Sequence, residues 1–265
     1  MDDSTIEERP MMIGAPSPRP RRSFRQWLVS GLAVIYKAKV FLLFFSLMVS
    51  MVVYGLTLGW AFGIGLLTVI AIHESGHVLA TRSRGIAASW PTFIPFLGAV
   101  ISLKQSPRNA DDEAFIGIAG PVFGVLASLL SFGLYELTGH LIFAMVALFG
   151  MVIHIFNLIP VVPLDGGRTV AFLGWKAWGP GLIGLAVMLF YNPLNNSFHF
   201  HSLTLIILGF IVWNFTRRIR YGVPPGYNDI PLSRKWVYGG LWGFLMTLSI
   251  VGYLFIGAVM HVSIA

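Results

Sequence analysis

Residues 69–80 read VIAIHESGHVLA and place His73, Glu74 and His77 inside one of the most apolar stretches of the chain. On a helix, positions i and i+4 differ by about 40° in azimuth and about 6 Å in rise, so both imidazoles can converge on one ion at N–metal distances of about 2.0–2.1 Å. Glu74 then stands beside the ion without ligating it. That is the H-E-x-x-H arrangement, whose carboxylate takes a proton from the water that the metal activates. The alternative is that these groups only pair with partners inside a helix bundle. An acid and two histidines in one turn are costly at membrane depth, and ligation accounts for all three.

Two nitrogens leave a catalytic zinc one protein ligand short of the usual three. The chain has no cysteine, so the third donor must be His, Asp or Glu. Inside or bordering the apolar runs the acids are Glu74, Glu113, Glu136 and Asp165. Glu136 falls at the opposite end of its run from His77. Asp111 to Glu113 read as an N-terminal cap and dipole partner for the helix that follows. Asp165 remains, in FNLIPVVPLDGGR (156–168), where Pro160 and Pro163 stop a helix and Gly166 and Gly167 permit a tight turn. The other reading of Asp165 is a turn cap.

The elements that must position these groups follow from the composition. Of 265 residues, 56% are hydrophobic and 11% charged, and the mean hydropathy is +0.76. Soluble domains carry about 25% charged residues, so this is an all-α polytopic membrane protein. Residues 1–23 read as a disordered basic tail, not a signal peptide, and 24–39 as an interfacial amphipathic helix. Residues 40–216 read as a membrane-embedded domain with its core over about 59–180, followed by a basic loop (217–235) and a C-terminal transmembrane helix (236–265). The run from Val40 predicts two crossings joined by a turn at Gly55 to Gly59, the second reaching about Thr81. Further crossings are expected at 114–136, 141–160, 178–192, 202–216 and 236–260. Gly179, Pro180 and Gly181 make 178–192 the weakest, so the total is six or seven.

In that alternation every Lys and Arg lies on one face. The positive-inside rule makes it cytoplasmic, with the N-terminus and His77 end inside and the C-terminus outside. The net charge of +7 therefore reports topology and anionic headgroups of the lipid bilayer, not nucleic acid. Residues 91–103 (PTFIPFLGAVISL) do not fit a crossing: they are short, broken by Pro91, Pro95 and Gly98, and rich in β-favouring side chains. They read either as an interfacial loop or as a short re-entrant β segment, which at membrane depth requires protein or a wet cavity around it.

HESGH followed by FNLIPVVPLDGGR resembles the site-2 protease family of intramembrane zinc metalloproteases, and FIPFLGAVISLK (93–104) and EAFIGIAGPVFG (113–124) resemble its intervening segments. The likeness covers roughly 70–180. It implies that His73, His77 and Asp165 bind one zinc ion per chain, and that Glu74 is the general base and proton donor. It also implies that Asn157 stabilises the oxyanion or positions the substrate; by residue type alone, Asn157 equally serves backbone freed by Pro160. The segment holding Phe93, Ile94, Phe96, Gly98 and Ala99 would receive an extended substrate. The partner implied is a transmembrane protein, such as a membrane-anchored regulator of transcription. No stretch is long or polar enough for a PDZ-like insertion or a C-terminal nucleotide-binding domain, so a compact form is expected.

Other polar features are weaker. Gly120 and Gly124 give a small-xxx-small spacing suited to close helix packing within the fold. His154 reads as a satisfied buried residue or as a group behind the ligands, and HFH (199–201) as outer surface. A reading from another class is a transporter or metal-binding membrane protein that uses the same groups without proteolysis.

Overall fold

The computed structural model describes residues 41–43, 45–89, 91–94, 98–100, 105–192, 197–198 and 202–264. The expected tail (1–23), the amphipathic helix (24–39), Phe96 and HFH at 199–201 lie outside them. All the expected spans are helical: α1 (Phe41–Leu58), α2 (Trp60–Ser83), α3 (Ala110–Thr138), α4 (Leu141–Asn157), a short α5 (Asp165–Thr169), α6 (Trp175–Phe190), α7 (Ser202–Tyr221) and α8 (Leu232–Ile264). Among the described residues α1, α2, α3 and α8 are long and apolar enough to cross a membrane. Helix α4 has 17 residues and α6 has 16, so at 1.5 Å per residue they reach about 25 Å against a hydrocarbon core of about 30 Å.

The helix ends show how the sequence sets these limits. The turn between α1 and α2 is made at Gly59 alone, whose φ of 88° favours a residue without Cβ. Gly55, expected in that turn, lies within α1 and lets the Trp60 ring close against it. The cap of α3 is Asn109, whose side chain accepts from the Asp112 N–H at 2.9 Å, and not the acids after it. Those acids occupy the first turn, where they face the positive end of the helix dipole and bind cations from three other segments. Arg84, just past α2, donates to Asp111 at 2.6 Å, Arg108 to Asp112 at 2.6 Å, and Arg218 of α7 to Glu113 at 2.6 Å. The Tyr227 hydroxyl also donates to Glu113, at 2.7 Å. Burial, then the Glu113 carboxylate, push that phenol above its ordinary pKa. The basic segment 217–235 is a loop only at 222–231, because α7 continues to Tyr221 and α8 starts at Leu232.

Helix α3 lies at the centre of the packing. It meets α2, α4, α5 and α8, and α8 also covers α4. The main core joins Ala114, Ile118 and Val125 of α3 to Ala144, Ala147 and Met151 of α4 and Leu245 and Ile256 of α8. A second cluster joins Tyr54 of α1, Phe62, Leu66 and Val69 of α2, and Phe93. A third, with Val161, Trp178, Leu185 and Ile211, seats α6 and α7 against the segment after α4.

The segment near 91–103 contains an antiparallel hairpin, β1 (Thr92–Ile94) and β2 (Gly98–Val100), with Phe93 opposite Ala99. A second hairpin, which the sequence reading lacked, pairs β3 (Tyr191–Asn192) with β4 (Ser197–Phe198).

A candidate metal centre

Helix α2 carries His73 and His77 on its buried side, one turn apart, and α5 brings Asp165 to meet them. Asp165 is the first residue of α5. The chain turns between Asn157 and Asp165, and α5 is pressed on that turn so closely that a Cβ on Gly166 would strike the Leu158 carbonyl and one on Gly167 the Val161 backbone. Three hydrogen bonds brace the arrangement. Trp178 Nε1 donates to the Gly167 carbonyl at 2.9 Å, Thr169 Oγ1 to the Asp165 carbonyl at 2.7 Å, and Trp242 Nε1 of α8 to the Leu158 carbonyl at 2.7 Å.

His73 Nε2 and Asp165 Oδ2 are 3.0 Å apart, His77 Nε2 and Asp165 Oδ2 3.2 Å, and the two Nε2 atoms 3.2 Å. All three residues are buried. Ligand atoms about 2.0–2.1 Å from a tetrahedral zinc lie about 3.3–3.4 Å from one another, so the triangle needs almost no adjustment to hold the ion. The donor chemistry gives a second test. His77 Nδ1 lies 2.7 Å from the Ile116 carbonyl of α3, which can only accept, so Nδ1 carries the proton. In the neutral ring Nε2 is then a lone pair aimed at a carboxylate, and that contact is repulsive unless a cation joins them. Buried beside the two imidazoles, the Asp165 carboxylate supplies the oxygen donor that a zinc site with two histidines takes. An ionised carboxylate is what ligation requires. The donor set fits a metal ion.

Room for the imidazoles is cut into α3. A Cβ on Gly120 would collide with His77 Nε2, and one on Gly124 with the His154 ring. The small-xxx-small spacing thus brings α3 close to α2 and α4 over two histidine rings. Glu74 is half-buried and lies within electrostatic reach of His77, His73, Asp165 and Arg168. The Arg168 guanidinium stands 3.9 Å from the second Asp165 oxygen. Asn157 ends α4, half-buried. Phe93 turns its side chain into the core and donates its backbone N–H to Ser46 Oγ of α1 at 3.1 Å, while Ile94, Gly98 and Ala99 are strand residues of the hairpin.

Sequence reasoning missed the Ile116 carbonyl, Arg168 and the glycine recesses. The small residues at 120 and 124 were the only signal, and a backbone acceptor leaves none.

Residues 61–140 match the family model described as Peptidase family M50. The chain is 28% identical over 145 residues to a zinc metalloprotease of Methanocaldococcus jannaschii, covering 52% of this chain and 42% of that one. It is 30% identical over 130 residues to a Synechocystis protein provisionally named a zinc metalloprotease, covering 44% and 33%. It is 28% identical over 114 residues to the stage IV sporulation protein FB of Bacillus subtilis, covering 41% and 38%. The match thus spans about a third to two fifths of the length of each of these relatives. Over residues 61–140, which carry His73 and His77, the chain is similar to Peptidase family M50.

Proposed function

We propose that this protein is an intramembrane zinc endopeptidase that hydrolyses peptide bonds within or near the transmembrane segment of a membrane-anchored protein. The observation that carries the proposal is the buried triangle of His73, His77 and Asp165 with the Glu74 carboxylate beside it. His73, His77 and Asp165 would hold one zinc ion. Bound there, zinc supplies a Lewis acid that polarises the scissile carbonyl and lowers the pKa of water towards about 7. Glu74, a carboxylate within electrostatic reach of the ligand triangle, takes the proton from the attacking water and returns it to the leaving amine. The Asn157 amide donates to the oxygen of the attacked carbonyl as negative charge develops on it.

A helix must unwind locally before its backbone can be cut, and its freed N–H and C=O groups need partners. The hairpin suits that need. Ser46 engages the outer side of β1 at Phe93, which leaves the outer edge of β2, Gly98 to Val100, for an extended substrate to join. The one-sided distribution of Lys and Arg supports a cytoplasmic side for this end of α2, where water would enter and a product leave, with the C-terminus opposite.

The test is to purify the full chain with zinc in lipid vesicles that hold single-span protein substrates, beside Glu74→Gln. The expected result is cleavage near the membrane by the wild type, with zinc retained, cleavage abolished and substrate trapped in the variant. Equal turnover in both, or zinc passage through vesicles without cleavage, would overturn it in favour of the transport reading.

A further inference from the structure

His154 is fully buried on α4, and neither of its ring nitrogens has a hydrogen-bond partner among the described residues. The Gly124 carbonyl, which accepts from Ser128 Oγ at 3.0 Å, lies near the ring without a well-formed hydrogen bond to it. The ring lies parallel to that of His73, at 6° and with centroids 5.4 Å apart. His73 Nδ1, the nitrogen turned away from the ligand triangle, is likewise buried and unpartnered among the described residues. Three orphaned polar atoms therefore sit in two stacked rings, where native interiors leave almost none. The contrast with the other ligand is informative: His77 Nδ1 has the Ile116 carbonyl behind it, and metal-bound histidines as a rule give their second nitrogen such a partner. Helix α3 also treats the two imidazoles alike, with Gly120 opening space for His77 and Gly124 for His154. His154 is not itself one of the three converging ligands, which are His73, His77 and Asp165.

We infer that His154 is a positioning residue for the metal ligand His73, fixing its ring plane by stacking and receiving its Nδ1–H through one bridging water. Corresponding points of two nearly parallel rings lie about as far apart as their centroids, 5.4 Å here, which is within the reach of one water with a hydrogen bond on each side. His154 accepts from that water through one nitrogen, so His73 keeps its proton on Nδ1 and its lone pair on Nε2. The inference rests on the zinc site proposed above, but on its metal binding and not on its peptidase activity.

The experiment measures metal affinity of the full chain in detergent by chelator competition, with zinc and with cobalt(II), whose absorption reports ligand geometry. His154→Phe keeps a flat ring and removes both nitrogens, and is expected to bind 10–100-fold more weakly, the usual cost of losing an outer partner. His154→Gln, which keeps an acceptor and a donor, is expected to recover most of that loss and the wild-type cobalt spectrum. Gly124→Ala, which drives the His154 ring off its seat, supplies a second reading and stands in if the Phe variant fails to fold. Gly133→Ala on the same helix, with nothing within 4 Å of the added Cβ, should match the wild type. Wild-type affinity in His154→Phe, or in Gly124→Ala when it alone folds, overturns the inference, as does a Gln variant as weak as the Phe one. Should the wild type bind zinc but cleave nothing, the peptidase reading fails while these affinities still decide the role of His154.

Discussion

Gly120→Ala puts one methyl group where the fold holds a ligand atom, so its consequence can be worked through. The added Cβ falls on His77 Nε2 and its neighbours in the ring. The ring cannot easily retreat: Nδ1 is tied to the Ile116 carbonyl at 2.7 Å, and the His73 ring stands edge-on at 4.9 Å between centroids. Either His77 swings and breaks that hydrogen bond, or α2 and α3 separate. A single methylene forced into a packed interior costs about 1–3 kcal/mol. Drawn from the bound state alone, that range corresponds to a metal affinity lower by about 5–150-fold. The assay is zinc competition against a calibrated chelator, with circular dichroism to show that helix content is kept. Gly133→Ala is the control, since it meets nothing within 4 Å and exchanges glycine for the better helix former. Wild-type affinity in Gly120→Ala would refute the reasoning, because the ligand would then occupy a different place.

Other outcomes follow from single contacts. Glu113→Gln removes the negative charge that Arg218 and Tyr227 share and leaves one amide oxygen to accept from them; with Arg218 29% exposed, solvent screening holds the expected loss to about 1–2 kcal/mol, read by thermal unfolding in detergent. Asn109→Ala takes the cap from α3 and should cost about 1 kcal/mol in the same measurement, with Asn109→Asp close to wild type. Ser46→Ala frees the Phe93 N–H from its acceptor, so amide exchange at Phe93 should accelerate while zinc content stays unchanged. Trp178→Phe leaves the Gly167 carbonyl beside Asp165 without its donor and is expected to weaken metal binding severalfold, by the same competition assay.

The ligands were legible because their signal is local. HESGH needs only helical periodicity to put both imidazoles on one side, and the absence of cysteine narrowed the third donor until Asp165 stood out. Helix positions were legible from uncharged runs of membrane length. Ends were less so, because they turn on single contacts. Gly55 and Gly59 are the same residue type, but only Gly59 adopts a positive φ, while Gly55 makes way for Trp60. Asn109 displaced the acids as the cap because their carboxylates are claimed by Arg84 and Arg218, distant in sequence, and by Arg108, four residues before Asp112. The support behind the ligands was hidden for a related reason. The Ile116 carbonyl belongs to the backbone, the recesses at Gly120 and Gly124 have meaning only once α2 and α4 are packed on α3, and His154 has no motif.

The most direct measurement is zinc-edge X-ray absorption on the purified chain, with the metal content of His73→Ala, His77→Ala and Asp165→Ala alongside. The account expects about one zinc per chain, bound by two imidazole nitrogens and oxygen donors at about 2.0–2.1 Å, with each substitution lowering occupancy. Absence of bound zinc, or full occupancy surviving loss of Asp165, would contradict it.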